Sequence, residues 1–126
     1  MSMVMEATAN KIVRKDEIWL ADLGESKGSV QGGVRPILIV SNDIGNKFSP
    51  VVSAVSITSS TTKKNIPTHV KIVANDLGFK RDSVILCEQD RTIGKDMLIH
   101  KIADLPESYF ELVDAAVEMV RKRIKR

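Results

Sequence analysis

Several residue types are scarce in this sequence, and each scarcity excludes a class of protein. A single cysteine, Cys87, excludes an intramolecular disulfide framework and suits a reducing compartment. No apolar run approaches the roughly 18 residues that a membrane-spanning helix needs. Residues 1–10 lack the basic start and the apolar stretch of a secretory signal. We therefore expect a cytoplasmic protein with no membrane segment.

Aromatic residues are also rare, at 4% of a chain of 126 residues, so any hydrophobic core has to be built from aliphatic side chains. Hydrophobic residues at 43% and charged residues at 28% are typical of a globular protein. The length suits one domain with one core. We expect residues 1–13 to form a flexible extension and residues 14–126 to form a single domain.

The usual signatures of metal and nucleotide sites are missing as well. The chain has no CxxC pair, no HExxH, no P-loop and no GxGxxG after a strand, so we predict no metal site and no cofactor. The two histidines, His69 and His100, lie on different predicted strands, where a structural or surface role is commoner than a catalytic pair. Cys87 lies in an apolar run that predicts a buried, inert thiol.

The formal net charge is +3, a mild excess that permits a polyanionic partner without requiring one. Residues 121–126 carry five positive charges. These charges can interact with the negative end of a C-terminal helix and extend into solvent, which is the commoner role of such a run. They can also attract RNA phosphates. The two roles are compatible, and the sequence leaves both open.

Short apolar or alternating stretches predict a mainly β protein. The predicted strands are Glu17–Leu23, Val34–Val40, Pro50–Thr58, Ile66–Val73, Ser83–Gln89 and Leu98–Ile102. Residues 24–33 are rich in Gly and Ser and predict a loop longer than a hairpin needs, and residues 41–46 are dense in turn formers.

Only the end of the chain is clearly helical. Phe110, Val113, Val117, Val120 and Ile124 recur at spacings of three and four, which predicts one apolar stripe along a helix. A proline at position 106 suits the first turn of that helix. Five to seven short strands closed by one helix indicate a small curled sheet or barrel.

The segment around Arg35 is the strongest candidate for chemistry. Gly32 and Gly33 permit a close approach of backbone to a ligand, because no Cβ stands in the way. The guanidinium of Arg35 is a rigid fork that matches phosphate oxygens. The same side chain could instead form an ion pair with a carboxylate at the end of the sheet. The residues alone leave these two roles equally open.

Residues 31–43, QGGVRPILIVSND, closely resemble the signature of the MazF/PemK toxin family, the endoribonuclease halves of bacterial toxin–antitoxin systems. Three further segments follow in the family's order: RKDEIWLADL at 14–23, PTHV at 67–70 and DSVILCEQDRTI at 82–93. The resemblance covers roughly residues 14–120 and is closest in style to the toxins of Gram-positive bacteria.

The resemblance implies an SH3-like β-barrel with a C-terminal α-helix and a homodimer. It implies sequence-specific cleavage of single-stranded RNA without a metal or cofactor. The nucleophile would be the 2′-OH of the RNA, and the products would carry a 2′,3′-cyclic phosphate and a 5′-OH. The implied protein partner is a MazE-like antitoxin with an acidic disordered tail.

The resemblance also implies roles for individual residues. Arg35 would be the principal catalytic residue, and Thr58 would bond the scissile phosphate. An arginine rarely gives up its proton, so charge stabilisation and proton transfer both remain open for Arg35. Val30 stands where related toxins often carry Glu, which affects the expected base contacts. RNA-binding positions carried over from the family are Ser29, Gln31, Gly32, Gly33, Asn42, Phe48, Ser59, Gln89 and Arg91.

Two other functions compete with the nuclease. The first is a gyrase-poisoning toxin of the CcdB type, against which Arg35 and Thr58 argue because that toxin has no RNA-cleaving site. The second is an RNA-binding barrel without catalysis, which would need aromatic platforms for base stacking. The chain has few aromatic residues, and two of them, Tyr109 and Phe110, belong to the predicted helix.

Overall fold

A computed structural model describes residues 11–25, 28, 32–59 and 66–122. It confirms a mainly β fold with a C-terminal helix. The strands are β1 Glu17–Asp22, β2 Val34–Ile39, β3 Val51–Thr58, β4 His69–Ile72, β5 Ser83–Gly94 and β6 Leu98–Asp104. The helices are α1 Asp43–Phe48 and α2 Phe110–Arg121, and short 3-10 turns span Ala74–Asp76, Lys95–Met97 and Glu107–Tyr109.

The six strands form one antiparallel sheet in the order β4-β5-β3-β2-β1-β6. Its two faces each bury a separate, mainly aliphatic cluster. Leu38 belongs to the cluster beneath α2, whereas its neighbours Ile37 and Ile39 belong to the cluster on the other face. Successive side chains of a strand point to opposite faces. The continuous apolar run of β2 is therefore explained by burial on both sides of the sheet.

Helix α1 corrects the prediction of a turn at residues 41–46. The side chain of Asn42 accepts a hydrogen bond from the backbone N–H of Gly45 at 2.9 Å and so caps the helix. Asn46 is fully buried and donates from Nδ2 to the carbonyl of Ser41 at 2.8 Å. Residues that usually form turns are held in a short helix here because their side chains satisfy the backbone at its start.

Strand β5 continues five residues beyond the predicted end at Gln89. Its register with β3 shifts sharply, because Val55 lies opposite Asp90 whereas Ser56 lies opposite Leu86. Residues 87–89 are therefore additional on β5, and an irregularity of this kind bends a strand. The sequence did not predict this continuation, because the residues that follow the apolar run are polar and show no strand-like alternation. β4 is shorter than predicted, and β6 is longer.

Helix α2 begins after a 3-10 turn and packs on the sheet through Val113 and Ala116, which are both buried. The predicted stripe was wrong at Val120, whose side chain is exposed, and Ile124 lies outside the described residues. Val117 contacts the cluster as expected. Within the described part of the chain, no helix has the length and apolar character needed to cross a membrane.

Candidate functional site

Arg35 lies near the start of β2, with its side chain half-buried. Its Nε donates a hydrogen bond to the carbonyl oxygen of Gly32 at 2.6 Å, which fixes the direction of the guanidinium. Among the described residues no carboxylate lies within salt-bridge distance of it. The structure therefore gives no support to the ion-pair role, and the fork of Arg35 is oriented without being neutralised.

The loop before β2 is closed at its base by backbone hydrogen bonds. The N–H of Leu23 donates to the carbonyl of Gly33 at 2.9 Å, and the N–H of Gly33 donates to that of Gly24 at 2.6 Å. Both glycines have positive φ values, of 74° at Gly24 and 76° at Gly33, which side chains with a Cβ rarely adopt. These glycines therefore close the loop and set the position from which Arg35 projects.

Thr58 is the last residue of β3 and is buried. β2 and β3 pair with Ile37 opposite Ser56. Continuing that register by two residues along each strand aligns Thr58 with Arg35. Residues two apart on a strand share a face, so the two predicted catalytic residues occupy facing positions on neighbouring strands, at one end of the sheet.

An open cleft of about 350 Å³ lies beside Arg35. Two exposed cations, Lys80 and Arg81, line it together with Arg35, and Ser59 lines it too. The apolar part of its lining consists of Val34, Pro36, Ile57 and Phe79. Sequence analysis missed Lys80 and Arg81. The only available signal was a pair of adjacent basic residues in a loop, which is too common to identify a site.

The remaining predicted RNA-binding residues do not lie together in the structure. Asn42 caps α1, and Phe48 ends it with a side chain that is 77% exposed. Both precede β3, so the length of that strand, about 23 Å at roughly 3.3 Å per residue, separates them from Thr58. Gln89 and Arg91 lie partly exposed on β5 between these two ends. Within one chain, Asn42 and Phe48 do not meet Arg35.

Other predicted positions fall at the loop. Gly32 is buried and supplies the carbonyl that orients Arg35, and Gly33 closes the loop base. Ser29, Val30 and Gln31 lie outside the described residues.

The histidines and the cysteine do not form a catalytic group. His69 on β4 contacts a carboxylate oxygen of Glu88 at 3.0 Å, and His100 lies on β6, at the other edge of the sheet. Burial, followed by the charges of Glu88 and Asp90, raises the pKa of Cys87 to about 12. The thiol is therefore protonated and inert at neutral pH. In the described ranges, no three His, Cys, Asp or Glu side chains are grouped closely enough to hold a metal ion.

Comparison with solved structures supports the fold. A MazF from Deinococcus radiodurans superposes with a TM-score of 0.74 at 21% identity, covering 88% of this chain and 97% of that one. A mycobacterial endoribonuclease solved with its cognate antitoxin superposes with a TM-score of 0.71 at 25% identity, covering 86% and 94%.

Comparison of sequences gives the family. The chain is 48% identical to the endoribonuclease EndoA of Bacillus subtilis over 108 residues, which are 86% of this chain and 93% of that protein. It is 45% identical to the endoribonuclease MazF of Staphylococcus epidermidis over the same length, covering 86% and 90%. The pattern of PemK-like, MazF-like toxins matches residues 14–120. The chain therefore belongs to the PemK-like, MazF-like toxins of type II toxin–antitoxin systems.

Proposed function

We propose that this toxin is a sequence-specific endoribonuclease that cleaves single-stranded RNA. One observation carries the proposal: Arg35 is oriented by Gly32, has no carboxylate partner in the described structure and lies across from Thr58 at an open end of the sheet. A nuclease whose nucleophile belongs to its substrate needs only groups that position a phosphate and stabilise charge on it.

The proposed reaction is an internal transesterification. The 2′-OH of the RNA loses its proton and attacks the neighbouring phosphorus, and the bond to the 5′-oxygen breaks. The 5′-oxygen gains a proton, so the products are a 2′,3′-cyclic phosphate and a 5′-OH. Arg35 would stabilise the added negative charge of the phosphorane, and Thr58 would donate a hydrogen bond to a phosphate oxygen.

The loop of residues 24–33 would cover the bound RNA, and side chains outside the immediate site would read its sequence. We assign that role to Ser59 beside the cleft and to Gln89 and Arg91 on β5. The same role is assigned to Asn42 and Phe48 for nucleotides farther along the strand. An extended single strand can contact groups spaced along the sheet, which a compact ligand cannot.

The experiment is cleavage of a long single-stranded RNA in the presence of EDTA, with both new ends identified chemically. We expect cleavage at a short recurring sequence with cyclic phosphate ends. Arg35→Ala should lower the rate by about 100- to 1000-fold, the usual effect of removing one group that stabilises developing charge. Arg35→Lys should recover part of it, because the charge remains and the fork is lost.

Arg14→Ala is the matched control. Arg14 is an exposed arginine just before β1, on a segment that is hydrogen-bonded to the end of β2 opposite Arg35. Cleavage abolished by EDTA, or retained in full by Arg35→Ala, would contradict the mechanism. A gyrase-poisoning toxin would cleave no RNA, so the same assay distinguishes that alternative.

We also propose that the protein acts in the cytoplasm as a homodimer and that a MazE-like antitoxin with an acidic tail inhibits it. Structures of MazE–MazF from Deinococcus radiodurans and of the mycobacterial complex support such a partner for this fold. The mass of the purified protein in solution tests the dimer. Co-purification from the native operon tests the antitoxin, and a monomer or the lack of an acidic companion would contradict the respective part.

A further inference from the structure

We propose that the cleft formed by Lys80, Arg81 and the apolar residues beside Arg35 binds a nucleotide next to the scissile phosphate. In this assignment Lys80 and Arg81 contact the phosphate of that nucleotide, and the apolar wall contacts its base. The inference rests on the proposed nuclease function and adds a binding site for a neighbouring position of the same RNA.

Positive charge is in excess at this cleft. Arg35, Lys80 and Arg81 line one opening, and in the part of the chain that the structure describes none of them has a carboxylate within salt-bridge distance. Two neighbouring carboxylates accept backbone hydrogen bonds instead. Asp82 accepts from the N–H of Ala74 at 2.9 Å, and Asp22 accepts from that of Gly24 at 3.0 Å. The three cations exceed these two carboxylates by one charge, and none of the three is held in an ion pair within the described residues, so the cleft attracts an anion.

The shape of the cleft narrows the class of anion. Its volume of about 350 Å³ is in the range of small-ligand sites, and apolar side chains form part of its wall. Val34 is 56% exposed, an unusual state for an apolar residue at the start of a buried strand. A free phosphate would gain nothing from such a wall. A nucleotide joins an anionic phosphate to a flat base and matches both parts.

The position of the cleft links it to the proposed reaction. Val34 and Pro36 flank Arg35 on β2, and Ile57 and Ser59 flank the position of Thr58 on β3. Neighbouring residues of a strand point to opposite faces of the sheet. The cleft and the proposed catalytic pair therefore begin on opposite faces and meet at the end of the sheet. RNA whose scissile phosphate lies between Arg35 and Thr58 would place its next nucleotide there.

The test compares two double variants that remove the same charge. Lys80→Ala/Arg81→Ala removes the pair in the cleft, and Arg14→Ala/Lys15→Ala removes another exposed adjacent pair, next to the other end of β2. Each contact with a single-strand phosphate contributes about 0.7 to the slope of log affinity against log salt. Because both cations are assigned to one phosphate, their loss should lower the slope by about 0.7 and raise KM by up to about 5-fold at 0.1 M salt.

We expect the cleft variant to change KM much more than kcat, and the control pair to change KM less than threefold. The occupied position follows from RNAs shortened by one nucleotide on either side of the mapped cleavage site. Wild-type protein should lose affinity at one particular truncation, and the cleft variant should be insensitive to it. An unchanged salt slope, an equal effect of the control pair, or equal sensitivity to truncation would overturn the proposal.

Binding is measured in parallel with an RNA that carries a 2′-deoxy group at the cleavage site and so cannot react. This measurement separates the two hypotheses, since a wild-type protein that binds RNA through the cleft but never cleaves it contradicts only the nuclease function. A poly-glutamate peptide is the third probe. If the cleft variant loses the peptide but binds RNA as the wild type does, the cleft serves an acidic protein segment and the proposal is wrong.

Discussion

At the scale of the residue, the proposed mechanism gives the buried hydroxyl of Thr58 a role beyond packing. It ends β3 at a position aligned with Arg35, where a valine of nearly the same shape would fill the same volume. Thr58→Val should lower the cleavage rate by about 10- to 100-fold, the equivalent of one hydrogen bond to a charged group. Thr58→Ser should retain most of the activity because it keeps the hydroxyl.

The measurement is single-turnover cleavage, with thermal unfolding to confirm that both variants fold. Full activity in Thr58→Val would show that the hydroxyl does not contact the phosphate. Full activity in Thr58→Val together with a low rate in Thr58→Ser would assign the residue to packing.

Cys87 makes the free energy of unfolding decrease as the pH rises through the alkaline range. Its pKa is raised from 9.0 to about 12 in the folded chain, chiefly by burial. Below pH 9 both folded and unfolded chains hold the proton, and stability is unaffected. Above pH 9 the unfolded thiol ionises while the folded one stays neutral, so the free energy of unfolding falls by up to about 1.4 kcal/mol per pH unit until pH 12.

Cys87→Ala should abolish this dependence. Between pH 8 and pH 10, wild-type protein should lose about 1.4 kcal/mol more than the variant in urea unfolding. Comparing the two proteins at both pH values cancels the cavity left by the missing sulfur and the titration of every other group. Parallel curves for wild type and variant would contradict the raised pKa.

At the scale of the element, the short helix α1 depends on side-chain hydrogen bonds for its stability. Six residues are too few for a helix to be stable by itself. Asn46 joins it to Ser41, whose hydroxyl accepts from the N–H of Ser53 on β3 at 3.0 Å. Asn46→Ala should lower the free energy of unfolding by about 1–3 kcal/mol, because it leaves buried polar groups unsatisfied.

Lys47→Ala in the same helix is the control, since that side chain is exposed, and we expect a change within about 0.5 kcal/mol. Urea unfolding measures both. Equal stability of the two variants would mean that the hydrogen bonds of Asn46 are replaced by water.

Helix α2 is held on the sheet by a narrow strip of buried side chains. Two adjacent residues, one buried and one exposed, allow the contribution of that strip to be measured. Val113 is 1% exposed and Leu112 is 57% exposed. Val113→Ala should cost about 1–3 kcal/mol of unfolding free energy through lost burial and the cavity it leaves. Leu112→Ala should change it by less than about 0.5 kcal/mol in the isolated chain. A larger cost at Leu112 in the assembled protein would place that face of α2 at a subunit interface.

At the scale of the whole molecule, the sequence predicted what depends on local periodicity. Apolar runs identified each strand, and the signature around Arg35 indicated the centre of the proposed site. Local patterns could not show that Lys80 and Arg81 lie beside Arg35, because that neighbourhood arises from the β5-β3-β2 pairing of segments far apart in the chain. They also missed α1, where side-chain hydrogen bonds override the weak helix propensity of Asn and Gly.

The closed base of the loop before β2 has a consequence for how such a toxin can diversify. Leu23, Gly24 and Gly33 are joined by backbone hydrogen bonds, so the ends of the intervening segment are fixed to each other whatever that segment contains. Doubling the length of such a loop costs only about 0.6 kcal/mol. Mutation can therefore rewrite or lengthen residues 25–31 while Gly32 continues to orient Arg35. A segment that covers the proposed RNA site can therefore vary, or be exchanged between relatives, without displacing the residue proposed to stabilise charge on the phosphate.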